Sequence, residues 1–181
     1  APAAASEPAE AAAPAGTEPE PERRIFVSTM AEELTDWSDA GERIRTALDN
    51  DEFCLYFQAI RPLGADADCG PFYEMLLRLR EEEEGLMPPG AFLPLAEECG
   101  LSPELDRWVV RHVLDWAAAR PERKAVRFAV NLSAATLAQP DFDVFVRDEL
   151  SRRAVAGETL TFEFSERDAR HHLADARRLV A

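Results

Sequence analysis

Long apolar runs are missing from this chain. No uninterrupted stretch approaches the roughly 20 residues that a membrane-crossing helix needs. The N-terminus has no basic region followed by an apolar stretch, so a secretory signal is not expected. Cysteine is scarce: Cys54, Cys69 and Cys99 are an odd number and form no C-x-x-C spacing. That argues against a disulfide framework and for free thiols in a reducing, cytoplasmic compartment. Basic charge is short as well, with 20 Lys and Arg against 35 Asp and Glu and a formal net charge of −15. A polymeric nucleic-acid binder shows a basic stripe, and none is visible, so neither a nucleic-acid polymer nor an anionic membrane surface is an expected partner. A small anionic ligand stays compatible where cations offset the field locally. No glycine-rich phosphate loop and no Ser-His-Asp ordering occurs.

Apolar residues make up 46% of the 181, enough to build the core of one ordinary domain. Residues 1–24 hold 9 Ala, 5 Pro and 5 Glu. Such a stretch buries too little surface to offset its ordering entropy and reads as a disordered, semi-stiff linker. Linkers of this kind join domains, so a partner upstream is expected. Residues 25–38 read as a lead-in segment. Asp39 is placed to cap a helix through about Leu48, with Ile44, Ala47 and Leu48 at helical spacing.

Two strands follow, "FCLYFQAI" (53–60) and "FYEMLLRL" (72–79). Only eleven residues join them, all with loop character, whereas a parallel crossover needs a dozen or more. The pair is therefore expected to be antiparallel. Residues 81–90 read as a charged turn, with Glu81 to Glu84 as solvated surface. A helix then ends at Gly100. A second starts with Ser102 as cap and Pro103 in its first turn and runs to about Ala119. Its stripe holds Leu105, Trp108, Val109, His112 and Trp116, and His112 reads as a core histidine rather than a catalyst. Strand 126–132, a capping Ser133, a helix over 141–154, strand 159–165 and a final helix from about Asp168 complete the order. Helical crossovers between the later strands imply a parallel sheet covered by helices, an α/β fold.

Strand alternation raises a question about charge. Side chains two apart share a face, so Met75, Leu77 and Leu79 lie on one side and Glu74, Leu76 and Arg78 on the other. Glu74 and Arg78 stand roughly 13 Å apart along the strand at about 3.3 Å per residue, so each needs its own partner. Every strand repeats the scheme: one face is bulky and apolar, and the other carries Gln58, Glu74, Asn131 or Glu163. That second face either meets water or converges on a shared site, as inside a barrel. Two carboxylates and an amide oxygen are hard ligands suited to Mg²⁺ or Mn²⁺, which would leave Arg78 to fork onto a phosphate. His171 and His172 read as an exposed pair, and Cys54 as a small packed residue.

The segments "LYFQAI", "YEMLLRLR", "PGAFLPLAEECGL", "DRWVV", "FAVNLS" and "LTFEFSE" occur in order at sensible spacing. Together they resemble the EAL-domain cyclic di-GMP phosphodiesterases over about residues 39–181. The family's Glu-Ala-Leu triplet reads Glu74-Met75-Leu76 here. The resemblance implies a TIM-like (β/α) barrel with an antiparallel first strand. It implies Gln58 and Arg78 as ligand contacts, Glu74, Asn131 and Glu163 as Mg²⁺ or Mn²⁺ ligands, and Glu166 as a glutamate that steadies a loop near the metals. It also implies cyclic di-GMP as the partner, hydrolysed to pGpG, with a GGDEF or sensory domain upstream; a homodimer is expected separately, from the strand edge that a truncated barrel leaves unpaired. Met75 departs from the family's alanine but points away from Glu74's face. Ala59 stands where proline is common, and Phe164-Ser165 replaces Ile-Thr.

Residues 39–181 are 143 in number, against about 250 for a complete eight-fold barrel. The barrel is thus expected to be incomplete in this chain. The family's later aspartate pair, lysine and glutamate are absent, and these residues alone are expected to turn over little substrate. The rival readings are an inactive EAL-like receptor for cyclic di-GMP and a protein-interaction domain.

Overall fold

The computed structural model describes residues 40–63, 70–81, 85–87, 89–120 and 126–179. The linker, the lead-in, the Asp39 cap, Cys69 and the Glu82–Glu84 run lie outside these residues. In chain order the elements are α1 (Ala40–Asp49), β1 (Phe53–Ile60), β2 (Phe72–Glu81), β3 (Gly85–Met87), α2 (Pro89–Glu98) and α3 (Ser102–Ala118). They continue with β4 (Arg127–Asn131), α4 (Ala134–Leu137), α5 (Phe142–Arg153), a 3₁₀ turn at Gly157–Thr159, β5 (Leu160–Glu163), α6 (Glu166–His171) and α7 (Leu173–Leu179).

The sheet order is β1-β2-β4-β5. As the short connection predicts, β1 and β2 are antiparallel, with Phe53 opposite Leu79 and Gln58 opposite Glu74. The pairs β2–β4 and β4–β5 are parallel, each joined through helices. One element escaped the sequence reading. Residues 85–87, placed there in a turn, form β3, which pairs antiparallel with Leu79 to Glu81 of β2. A three-residue strand shows too few alternations to be seen in a pattern.

The core lies between the apolar face of the sheet and the helices. Phe53 packs against Phe92 and Trp108, with ring centroids 5.5 and 5.8 Å away. Ile44, Leu79, Leu105, Val110, Val113 and Leu114 are buried around them. Burying one such side chain fully contributes about 1.5–3 kcal/mol. The buried stripe of α3 is wider than predicted, because Val110, Val113 and Leu114 join it. Gly41 lets α1 approach α2: a Cβ added there would stand 3.3 Å from Cys99 Sγ.

Several helix ends differ from expectation. Ser102 is the first residue of α3, not its cap. Leu101 occupies the cap position, and no side-chain bond is made there. Strand β5 stops at Glu163, because Ser165 turns to cap α6 and accepts from the Asp168 N–H. The final helix is two, broken at His172. His112 sits at the rim of the core rather than within it. Its side chain is 38% exposed, stacks on Trp108 and lies near Asp51.

Helix α5 ends at Ala154, whose backbone is left-handed (φ 54°, ψ 39°). Val155 N–H then bonds the Leu150 carbonyl at 3.1 Å. Glycine takes this conformation without the Cβ penalty. Ala154→Gly is therefore expected to stabilise the fold by about 0.5–1 kcal/mol, read as a higher thermal midpoint. An unchanged or lower midpoint would contradict it.

Candidate functional site

Strand register determines which polar residues meet. Gln58 is directly opposite Glu74, Glu74 is level with Ala129, and Asn131 is level with Glu163. Alternation puts these side chains, with Leu76 and Arg78, on the face away from the helices. The apolar face holds Tyr73, Met75, Leu77, Phe128 and Val130, which belong to the core or pack against it. Met75 accordingly sits on the far side of β2 from Glu74, and its substitution for alanine leaves the polar face unchanged.

Glu74 finds its partner across the sheet. The Asn131 amide Nδ2 donates to Glu74 Oε1 at 3.0 Å. Glu74 keeps its second carboxylate oxygen, and Asn131 keeps its carbonyl oxygen. Glu163 stands one strand beyond, beside Asn131, at the usual spacing of about 4.8 Å between neighbouring strands. Arg78 is separately held: its Nη1 donates to the Leu77 carbonyl at 2.7 Å, and the guanidinium lies 5.9 Å from the Tyr56 ring centroid. So the two charges on β2 do have different partners. Gln58 is exposed on β1. Glu166 lies in the first turn of α6, where its carboxylate pairs with Arg170 at 2.5 Å and is 78% exposed. Its bonded partner is thus on its own helix, and it does not share in the Glu74–Asn131 contact.

The donor set suits a hard divalent cation in kind: two carboxylates and an amide oxygen from three adjacent strands. No group of three or more His, Cys, Asp or Glu side chains able to hold an ion occurs among the described residues. The Asn131 oxygen is therefore needed to complete even three protein ligands. Water and phosphate oxygens would supply the rest, as is usual for Mg²⁺.

One residue beside this edge was not singled out in the sequence. Asp106 on α3 accepts from Ser133 N–H at 2.9 Å, Ser133 Oγ at 2.8 Å and Thr136 Oγ1 at 2.5 Å. Burial pushes its carboxyl above the ordinary aspartate value, against the pull of the bonds from Thr136 and Ser133. A signal was present. Asp106 lies three and four residues before the buried Val109 and Val110, so it falls on the buried stripe of α3. A carboxylate there must find donors.

On the opposite face of the sheet, a cavity of about 400 Å³ is lined by Phe53, Tyr73, Met75, Trp108, Trp116 and Phe128, among others. It belongs mainly to the apolar layer, and Glu74, Asn131 and Glu163 do not line it.

Comparison with known proteins follows the same lines. The sequence pattern of the EAL domain matches residues 41–181. The chain is 35% identical over 152 residues to the cyclic di-GMP phosphodiesterase PdeF of Escherichia coli K12, covering 83% of this chain and 20% of that protein. The FimX EAL domain of Pseudomonas aeruginosa, solved bound to c-di-GMP, superposes with a TM-score of 0.69 at 33% identity, over 78% of this chain and 56% of that one. The PaMucR phosphodiesterase in its c-di-GMP complex gives 0.67 at 29% identity, over 78% and 59%. The chain thus spans about a fifth of that curated relative and somewhat over half of these solved domains. Its sheet and helices are part of the TIM-barrel fold of EAL domains.

Proposed function

The chain belongs to the EAL domain family, and from that premise we propose that it supplies part of the active site of a cyclic di-GMP phosphodiesterase yielding pGpG. Glu74, Asn131 and Glu163 would hold Mg²⁺ or Mn²⁺. The bound ion would supply charge neutralisation at the phosphate and an activated water. Gln58 would contact the nucleotide. Arg78 uses few of its five N–H donors on the Leu77 carbonyl. It would turn the others to a phosphate oxygen and offset the acidic field of a chain with net charge −15. Glu166 would steady the loop that follows β5.

The observation that carries this reading is the Asn131–Glu74 hydrogen bond across two strands. It brings residues 57 positions apart together at the face where alternation puts Glu163. A solvated face with no task would not need to set two carboxylates beside an amide.

Among the described residues no helix is long and apolar enough to cross a membrane. The free thiols Cys54 and Cys99 support a cytoplasmic location, and a GGDEF or sensory domain upstream is part of the same proposal. Strand β1 ends the sheet order and exposes Tyr56 and Phe57 at 49% and 68%. An edge of this kind invites pairing and supports a homodimer.

The test is incubation of the full-length protein with cyclic di-GMP and Mn²⁺, followed by chromatography of the nucleotides. Accumulation of pGpG, abolished by chelator, is the expected result. Binding of cyclic di-GMP without pGpG would replace the enzyme reading with that of a receptor. Absence of calorimetric heat with the nucleotide would leave an interaction domain.

A further inference from the structure

We propose that Asp106 is a positioning residue for the metal-binding edge, fixing the turn after β4 and, through it, the amide of Asn131. This inference rests on the assignment of Asn131 as a metal ligand.

The strand ends at Asn131, so the two peptide groups that follow determine where its side chain sits. Leu132 N–H bonds the Glu163 carbonyl at 2.8 Å. Ser133 N–H bonds Asp106 Oδ2 at 2.9 Å. The chain is thus held on one side by β5 and on the other by α3. The same Asp106 oxygen accepts from the Ser133 and Thr136 hydroxyls at 2.8 and 2.5 Å. Ser133 Oγ in turn accepts from Thr136 N–H at 3.2 Å, which starts α4. Thr136 is fully buried, so its hydroxyl has no water to replace the carboxylate. Four donors in all are ordered around two acceptor oxygens, and the backbone of Ser133 cannot shift without breaking several bonds together. Asn131 is two residues away. Its Nδ2 must stay within bonding distance of Glu74 Oε1 for its own oxygen to keep a fixed direction. Buried partners that orient a ligand typically contribute 10–100-fold to metal affinity.

A cap that merely stabilises α4 would give different results from a residue that orients Asn131. Mn²⁺ alone, titrated into the full-length protein and followed by the electron paramagnetic resonance of the free ion, separates the two. Asp106→Ala is expected to weaken Mn²⁺ binding about 10–100-fold. Asp106→Asn, which retains an oxygen acceptor at this place, is expected to recover most of that loss. Ser133→Ala keeps the backbone bond and loses the hydroxyl bond. It is expected to weaken Mn²⁺ binding several-fold in a protein that still folds, at a somewhat lower thermal midpoint because the cap bond to Thr136 N–H is lost as well. If Asp106→Ala does not fold, Ser133→Ala decides alone. Wild-type Mn²⁺ affinity in every folded variant would overturn the proposal. Glu74→Gln run beside them tests the premise: Mn²⁺ binding indifferent to that change would sink the metal assignment itself, not the role of Asp106.

Discussion

Glu74→Gln in the full-length protein is expected to lower pGpG formation by more than about 100-fold while leaving the fold in place. Partners that only orient a metal ligand already account for 10–100-fold, and Glu74 is proposed as the ligand itself. Glutamine keeps an oxygen where Glu74 Oε1 accepts from Asn131 at 3.0 Å, so the cross-strand bond survives. What disappears is one of the two negative charges that the donor set offers to a hard divalent ion. The half-buried position on β2 brings no packing loss, because the two side chains are nearly equal in volume. The result should therefore be a fall in turnover and Mn²⁺ affinity with a thermal midpoint within a degree or two of wild type. Turnover within a few-fold of wild type would refute Glu74 as a metal ligand. A large drop in the midpoint would mean that the carboxylate serves the fold instead.

The largest effect on stability is expected at Phe53. Its side chain is 2% exposed and closes a cluster with Phe92 and Trp108, on two different helices. Phe53→Ala removes a ring that joins sheet to helices and leaves a cavity its rigid neighbours cannot fill. Such truncations cost about 3–5 kcal/mol, against a total domain stability of about 5–15 kcal/mol. Chemical denaturation should show a much lower midpoint, with an appreciable unfolded fraction at 37 °C if total stability is near the lower bound. Phe57→Ala provides the internal contrast. It is the same substitution on the same strand and face, but Phe57 is 68% exposed and rests mainly on Tyr73. It should cost less than about 1 kcal/mol. Equal losses at the two positions would show that burial does not govern β1.

The amino-acid order determined the local and periodic features of this protein. Alternation assigned Glu74, Arg78, Asn131 and Glu163 to one face, and a short polar connection made β1 and β2 antiparallel, because both follow from backbone geometry over a few residues. Helical connections likewise implied the parallel pairs β2–β4 and β4–β5. The ends of elements were less legible. Ser102 and Ser165 have the same capping chemistry, yet only Ser165 caps, since α3 already begins at Ser102 and Leu101 holds the cap position. Three residues of β3 exist only because β2 offers Leu79 to Glu81 an open edge. Which polar groups meet was decided by tertiary structure alone. Asn131 reaches Glu74 across 57 residues through strand register, and Asp106 meets Ser133 and Thr136 because α3 packs beside the end of β4. Sequence periodicity specifies which way a side chain points; the packing of elements specifies what it finds there.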